Sequence, residues 1–221
     1  MSKSSDISYT CPRCQKQSRF TIWQSINVDL DPSLKQKVMD GSLFVFHCLY
    51  CGFSQEVGYS VLYHDQRNRY MVWWIPEGEN GYQQYNKMEL NQIARTLPGY
   101  RLRLVPTFNR LREKIYIFDC GLDDRAIEIL KRYVWSAFLE DQGIQISQVY
   151  FSDSYQESEY PAIELTILVP GGNQRIIKVS GKNGYPRALE LLKKNKVPDH
   201  EFTQWRIIDH TYWDLAERGE G

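Results

Sequence analysis

Cysteine spacing constrains this chain more than any other feature. Four of its five cysteines fall in two pairs, CPRC at Cys11 and Cys14 and CLYC at Cys48 and Cys51, while Cys120 stands alone. A Cys-x-x-Cys turn aims two sulfurs at one point, and two such turns supply the four thiolates, at about 2.3 Å, that tetrahedral Zn²⁺ takes in a closed structural site. Pro12 presets φ in the first turn, and Gly52 can adopt φ > 0 just after the second. The gap between the pairs exceeds the roughly 15 to 20 residues of an ordinary zinc ribbon, which predicts an insertion. Asp31 suits a helix cap, Pro32 the first helical position, Leu34 and Val38 one buried face, and Gly41 the end, so a short helix is expected there.

Three other readings of these cysteines stay open. A disulfide pair needs an oxidising compartment, which an odd cysteine count and a start without a signal-like segment disfavour. Redox chemistry of the glutaredoxin kind needs Cys-Pro-x-Cys to open a helix whose N-terminus lowers the thiol pKa. Here Gln15 to Arg19 lead instead into Phe20-Thr21-Ile22-Trp23, a strand composition. His47 as a substitute ligand adjoins Cys48 in a strand, where neighbouring side chains point to opposite faces. Four thiolates around one divalent ion leave the cluster anionic. Arg13 and Lys16 either offset that charge or are ordinary solvated surface.

Strand-like runs flank both pairs, at Phe20 to Trp23, Leu43 to His47 and Phe53 to Tyr59, as in a ribbon. Tyr59 to Tyr63 and Tyr70 to Ile75 read as a hairpin around His64-Asp65-Gln66-Arg67-Asn68-Arg69. A helix is predicted from Asn86, with Glu89 in a capping box, Leu90, Ile93, Ala94 and Leu97 on one face, and Pro98-Gly99 as its stop. Arg101 to Val105 alternates as a strand, and Lys114 to Phe118 reads as a buried strand. Asp123 and Asp124 open an amphipathic helix carrying Ile127, Leu130, Val134 and Phe138. Farther on, Gln148 to Phe151 is a predicted strand, SDSYQESEYP an acidic loop, and Ile163 to Val169 with Arg175 to Val179 a hairpin. Ala188 to Lys194 should be helical and Phe202 to Ile208 a strand, before a frayed final helix. The whole is an α+β fold, an N-terminal zinc ribbon with an inserted short helix continuing into a mainly antiparallel sheet with packed helices.

The combination of CPRC, DPSLKQKVMDGS, LFVFHCLYCGFSQEV and VLYHDQRNRYMVWWIP, followed by LREKIYIFDCGLDDRAIEILK, resembles the CpXC domain family. The resemblance covers residues 9–138, with the ribbon at about 9–59, and leaves an α+β segment at 139–221. It implies a zinc-ribbon-like domain of bacterial proteins in which Cys11, Cys14, Cys48 and Cys51 are the paired cysteines, and it brings no reaction with it. Leu49 stands where the first pair has Pro12. Proline there only stiffens a turn that other residues also make.

Lysine plus arginine and aspartate plus glutamate both number 27, so no overall charge argues for a polyanion partner. The distribution is uneven. Residues 61–115 hold nine basic and five acidic side chains, and residues 116–160 three and nine. Arg67, Arg69, Arg101, Arg103, Arg110 and Arg112, interleaved with Tyr63, Tyr70, Trp73 and Trp74, are the composition that single-stranded nucleic acid asks for; equally, the arginines can pair within the fold and the aromatics fill its core. An enzyme would draw on His64 with Asp65, or on Asp119, Asp123, Asp124 and Glu128 as a Mg²⁺ group, although capping and the helix dipole account for aspartates at a helix start. No catalytic residue is assigned, and Cys120 reads as an inert buried thiol. The reading with fewest assumptions is a non-catalytic binding or adaptor protein with a structural Zn²⁺. Its partner is a protein, with single-stranded nucleic acid as the alternative and an enzyme third. No stretch approaches the roughly 20 apolar residues of a membrane span, and a cytoplasmic location is expected.

Overall fold

In the computed structural model, residues 2–76, 92, 94–142, 145–157, 159–194 and 204–209 are described. The chain divides into two compact units, Met1–Arg112 with Glu201–Arg206, and Glu113–His200 with Ile207–Gly221.

The first unit is built on strands β1 (Lys3–Thr10), β2 (Gln17–Asn27), β5 (Val61–Asp65), β6 (Tyr70–Trp74) and β7 (Arg101–Val105), hydrogen-bonded in that order. A two-stranded ladder, β3 (Val45–His47) with β4 (Ser54–Glu56), accompanies it. The β1–β2 hairpin is antiparallel and pairs Thr10 with Gln17, so the first Cys-x-x-Cys forms its loop. The β3–β4 hairpin pairs His47 with Ser54 around the second Cys-x-x-Cys. Each half-site is therefore a hairpin tip, the ribbon arrangement. β2 joins β5, and β6 joins β7, in parallel. Both parallel joins need long crossovers, and helix α1 (Ser33–Met39) lies within the first of them. Leu34 and Val38 are its buried face, and Gly41 at φ 83° turns the chain out of it. Asp31 supplies its backbone carbonyl to Leu34 N–H at 3.0 Å, with no side-chain cap.

One face of the five-stranded sheet buries Val61, Tyr63 and Trp74. Phe44 anchors this core, its ring 5.4 Å from Tyr59, 5.1 Å from Trp74 and 5.0 Å from Phe108. The other face carries Met71 and Leu102, covered by Ala94 and Leu97. The helix expected from Asn86 lies outside the described residues except at its end, where Gln92, Ala94 and Arg95 are helical and Gly99 has φ 77°.

Helix α2 (Phe108–Asp119) begins in the first unit and enters the second. It replaces the strand expected at Lys114 to Phe118. Leu111, Glu113, Lys114, Ile115, Ile117 and Phe118 are all buried, so the helix is enclosed on most sides and its sequence shows a continuous apolar run that periodicity alone cannot distinguish from a buried strand. Thr107 fixes the helical start, its Oγ1 accepting from Arg110 N–H at 3.3 Å.

The second unit adds helix α3 (Asp124–Gln142), strands β8 (Gln148–Glu157), β9 (Tyr160–Leu168) and β10 (Gln174–Val179) in the order β10-β9-β8, and helix α4 (Tyr185–Lys194). All pairings in this sheet are antiparallel. The expected acidic loop SDSYQESEYP is mostly strand, with Glu157 paired to Tyr160. Two of its carboxylates are matched there, Asp153 by the Tyr116 hydroxyl at 2.8 Å and Glu157 by Lys178 Nζ at 2.6 Å. Of the strand expected at Phe202 to Ile208, the described part forms a single bridge, Arg206 to Arg103. Among the described residues, no helix is long and apolar enough to cross a membrane.

Candidate metal centre

The backbone repeats itself at the two hairpin tips. Cys11 N–H donates to Lys16 O at 3.0 Å and Gln15 N–H to Cys11 O at 2.9 Å; Cys48 N–H donates to Phe53 O at 2.8 Å and Gly52 N–H to Cys48 O at 3.1 Å. The residue after each second cysteine is left-handed, Gln15 at φ 61° and Gly52 at φ 68°. Two copies of one turn thus face each other.

Their four sulfurs all lie within 4.8 Å of one another, and all four cysteines are free. Cys11 Sγ is 3.7 Å from Cys51 Sγ, and Cys14 Sγ is 3.6 Å from Cys48 Sγ. Four sulfurs at 2.3 Å from a tetrahedral ion stand about 3.8 Å apart, so these separations fit the edges of a metal–thiolate tetrahedron. The cluster can hold a metal ion.

Electrostatics agree with that fit. Burial pushes the Cys48 thiol up, yet the N–H groups of Tyr50 and Cys51 and the thiols of Cys14 and Cys11 outweigh it and bring its pKa down to about 6. At Cys51 the Phe53 N–H draws the pKa down, but burial and the sulfurs of Cys14, Cys48 and Cys11 push it up to about 12. One sulfur ionises readily and its neighbour then resists, which is the behaviour of thiols crowded around one point. Ser18 adds a contact that sequence reasoning missed. It is buried on β2, its hydroxyl donates to Cys48 Sγ at 3.9 Å, and it accepts Leu49 N–H at 3.4 Å. Gln15 was legible by aligning CPRCQ on CLYCG, whereas nothing in the sequence marks Ser18.

Beneath the sulfurs is an aromatic core. Tyr9, Phe20 and Phe46 form a triangle with ring centroids 4.5 to 5.9 Å apart, and Tyr59 meets Phe20 at 6.1 Å. Outside it, the tip residues Leu49 and Tyr50 are 81% and 61% exposed. Lys16 of the first tip places its Nζ 4.8 Å from the Tyr50 ring of the second, while Arg13 is exposed.

A family model described as CpXC protein matches residues 9–131. The chain belongs to the CpXC family. The match includes all four clustered cysteines of this CpXC chain, both hairpin tips and helix α1. No curated protein and no solved structure matches the chain.

The other residues singled out in this CpXC sequence take varied positions. His47 is not part of the sulfur cluster and its Nδ1 lies 2.7 Å from Ser54 Oγ. Cys120 is half-buried rather than enclosed, and burial pushes its thiol up. His64 and Asp65 are successive residues of β5 and so point to opposite faces. Asp65 accepts Asn68 N–H at 2.8 Å and the Asn68 amide at 2.9 Å. Of the carboxylates considered for Mg²⁺, Asp124 and Glu128 meet Lys114 at 3.0 and 3.2 Å. Asp123 holds Arg125 at 2.6 Å and accepts its N–H at 2.9 Å as the cap of α3, and Asp119 is exposed. Tyr63, Tyr70, Trp74 and Arg103 are buried in the core. Trp73 donates to Ser60 at 2.8 Å. Three of the four rings of a basic–aromatic nucleic-acid surface are thereby interior and Trp73 is half-buried, while of its arginines Arg67, Arg69 and Arg112 are exposed.

Proposed function

We propose that Cys11, Cys14, Cys48 and Cys51 bind one Zn²⁺ as a closed structural site, and that the chain is a non-catalytic binding or adaptor protein of a reducing cytoplasm. The observation that carries this reading is the pair of sulfur separations, 3.6 and 3.7 Å, which suit four thiolates on one tetrahedral ion and leave no position for substrate or water. Zinc then locks two hairpins whose own core is a handful of aromatic rings. What such a lock presents is its outer surface, where Leu49 and Tyr50 form an apolar tip of the kind that anchors protein contacts.

Affinity purification of the tagged chain from its own cells, beside the Leu49→Ser/Tyr50→Ser variant, tests the reading. The wild type should retain a protein partner that the variant loses while keeping its zinc and its melting temperature. Identical partner sets, or a variant that behaves as wild type throughout, contradict it.

A further inference from the structure

Away from the cysteines, the β5–β6 turn and residues 96–100 line an open cleft of about 750 Å³, a volume within the size range of small-molecule sites. Gln66, Arg67 and Arg69 form its polar side, and Leu97, Pro98 and the Tyr100 ring its apolar side.

A chain of hydrogen bonds fixes the Tyr100 hydroxyl as a donor. Asn27 Oδ1 accepts the N–H groups of Asp29 at 3.1 Å and Leu30 at 3.3 Å, which settles the orientation of the amide. Asn27 Nδ2 therefore donates to His64 Nδ1 at 3.5 Å. Burial, the leading cause, lowers the His64 pKa against the opposing pull of Asp29 and Asp65, which favours the neutral ring. With Nδ1 an acceptor, the ring proton is on Nε2, which lies 3.3 Å from Tyr100 Oη and donates to it. The Tyr100 proton is left to point elsewhere. Burial, the leading cause, raises the Tyr100 pKa and keeps that proton in place.

Arg69 supplies the charge. It is a non-glycine residue at φ 52°, a conformation with a cost that tends to persist where the side chain has a use. Gly99, left-handed at φ 77°, turns the facing chain beside it, and a Cβ there would stand in ordinary contact with Arg69 Nη1, at 3.6 Å. Among the described lining residues the carboxylate is Asp29, and it is already engaged. Its Oδ2 accepts Gln66 N–H at 2.7 Å and Arg67 N–H at 3.0 Å, and its Oδ1 is 3.6 Å from Arg67 Nε. Among the described residues Arg69 has no such partner.

We propose that this cleft binds the oxyanion head of a small organic phosphate or carboxylate, with Arg69 and Tyr100 as donors and Leu97 and Pro98 packing the organic body. A guanidinium and a hydroxyl on residues that line one cleft match the lone pairs of either head.

Phenyl phosphate, benzoate and inorganic phosphate, titrated into the full chain and followed by nuclear magnetic resonance of Arg69 Nε–H and Tyr100, separate the two heads and test the organic body. At least one of the two organic anions should give saturable shifts at these residues and bind more tightly than inorganic phosphate. Arg69→Asn, which retains a residue tolerant of positive φ, and Tyr100→Phe should each weaken binding by about tenfold or more with an unchanged melting temperature. Absence of shifts with all three probes, undiminished binding by both variants, or shifts with a short oligonucleotide alone would overturn the proposal.

Discussion

Gln15 and Gly52 occupy the same place in the two hairpin tips. Each is left-handed, at φ 61° and 68°, and each donates its N–H to the carbonyl of the first cysteine of its pair, at 2.9 and 3.1 Å. The four-cysteine cluster thus consists of one turn used twice. Side chains do not decide this conformation, because a Cβ built on Gly52 meets nothing within 4 Å. Only the intrinsic cost of a left-handed L-residue is at stake. Gly52→Ala should lower stability by about 1 kcal/mol. Gln15→Gly should leave it unchanged or raised, since relief of the same cost offsets the entropy glycine adds to the unfolded chain. Urea unfolding of the metal-loaded protein measures both.

Ser18 links the halves without supplying a ligand, by donating to Cys48 Sγ and accepting Leu49 N–H. Ser18→Ala keeps all four thiols but removes the hydrogen bond that steadies one of them. Zinc affinity should fall by about tenfold or more, read by competition with a chromophoric chelator. An unchanged affinity would mean that the hydroxyl serves only Leu49.

These two residues mark how far the sequence carries the account. Paired cysteines impose their own geometry, and helix α1 announced itself through Pro32, the Leu34–Val38 spacing and Gly41. Gln15 is marked only by its alignment with Gly52, because glutamine has no intrinsic liking for positive φ; its conformation is imposed by the hairpin around it. β1 was hidden because KSSDISYT is an exposed edge strand with almost no burial pattern, held by pairing with β2 rather than by its own hydrophobicity. The run Lys114 to Phe118 misled for the opposite reason. Burial on nearly every side of α2 erased the periodicity that would have identified a helix, and two of the buried residues, Glu113 and Lys114, are charged.

Those charges lead to a third expectation. Lys114 meets Asp124 and Glu128, while Lys131 meets Glu113 and Glu128 at 2.9 Å each, all in the interior. Glu113 also accepts Phe151 N–H at 2.7 Å, tying α2 to β8. Lys114→Met would take one of two cations out of this buried network and leave Glu128 with Lys131, so a loss of about 3 to 5 kcal/mol is expected in thermal or urea unfolding.

The same lysine sets an alkaline limit. Burial lowers its pKa, but Asp124, Glu128 and Glu113 outweigh burial and hold it above the ordinary 10.5. A base that binds its proton more tightly when folded contributes fully below its unfolded pKa, and that contribution is lost as pH rises through the folded value. Stability measured against pH should therefore fall above about pH 10.5 in the wild type. The Lys114→Met variant should lack this component of the fall.

The central claim is that two remote cysteine pairs share one ion, and X-ray absorption at the zinc edge of the reduced protein tests it most directly. One zinc per chain with four sulfur neighbours at about 2.3 Å, and no nitrogen or oxygen among them, is the expected result. A first shell containing two or fewer sulfurs, iron in place of zinc, or reduced protein that folds fully with no metal bound would contradict the account.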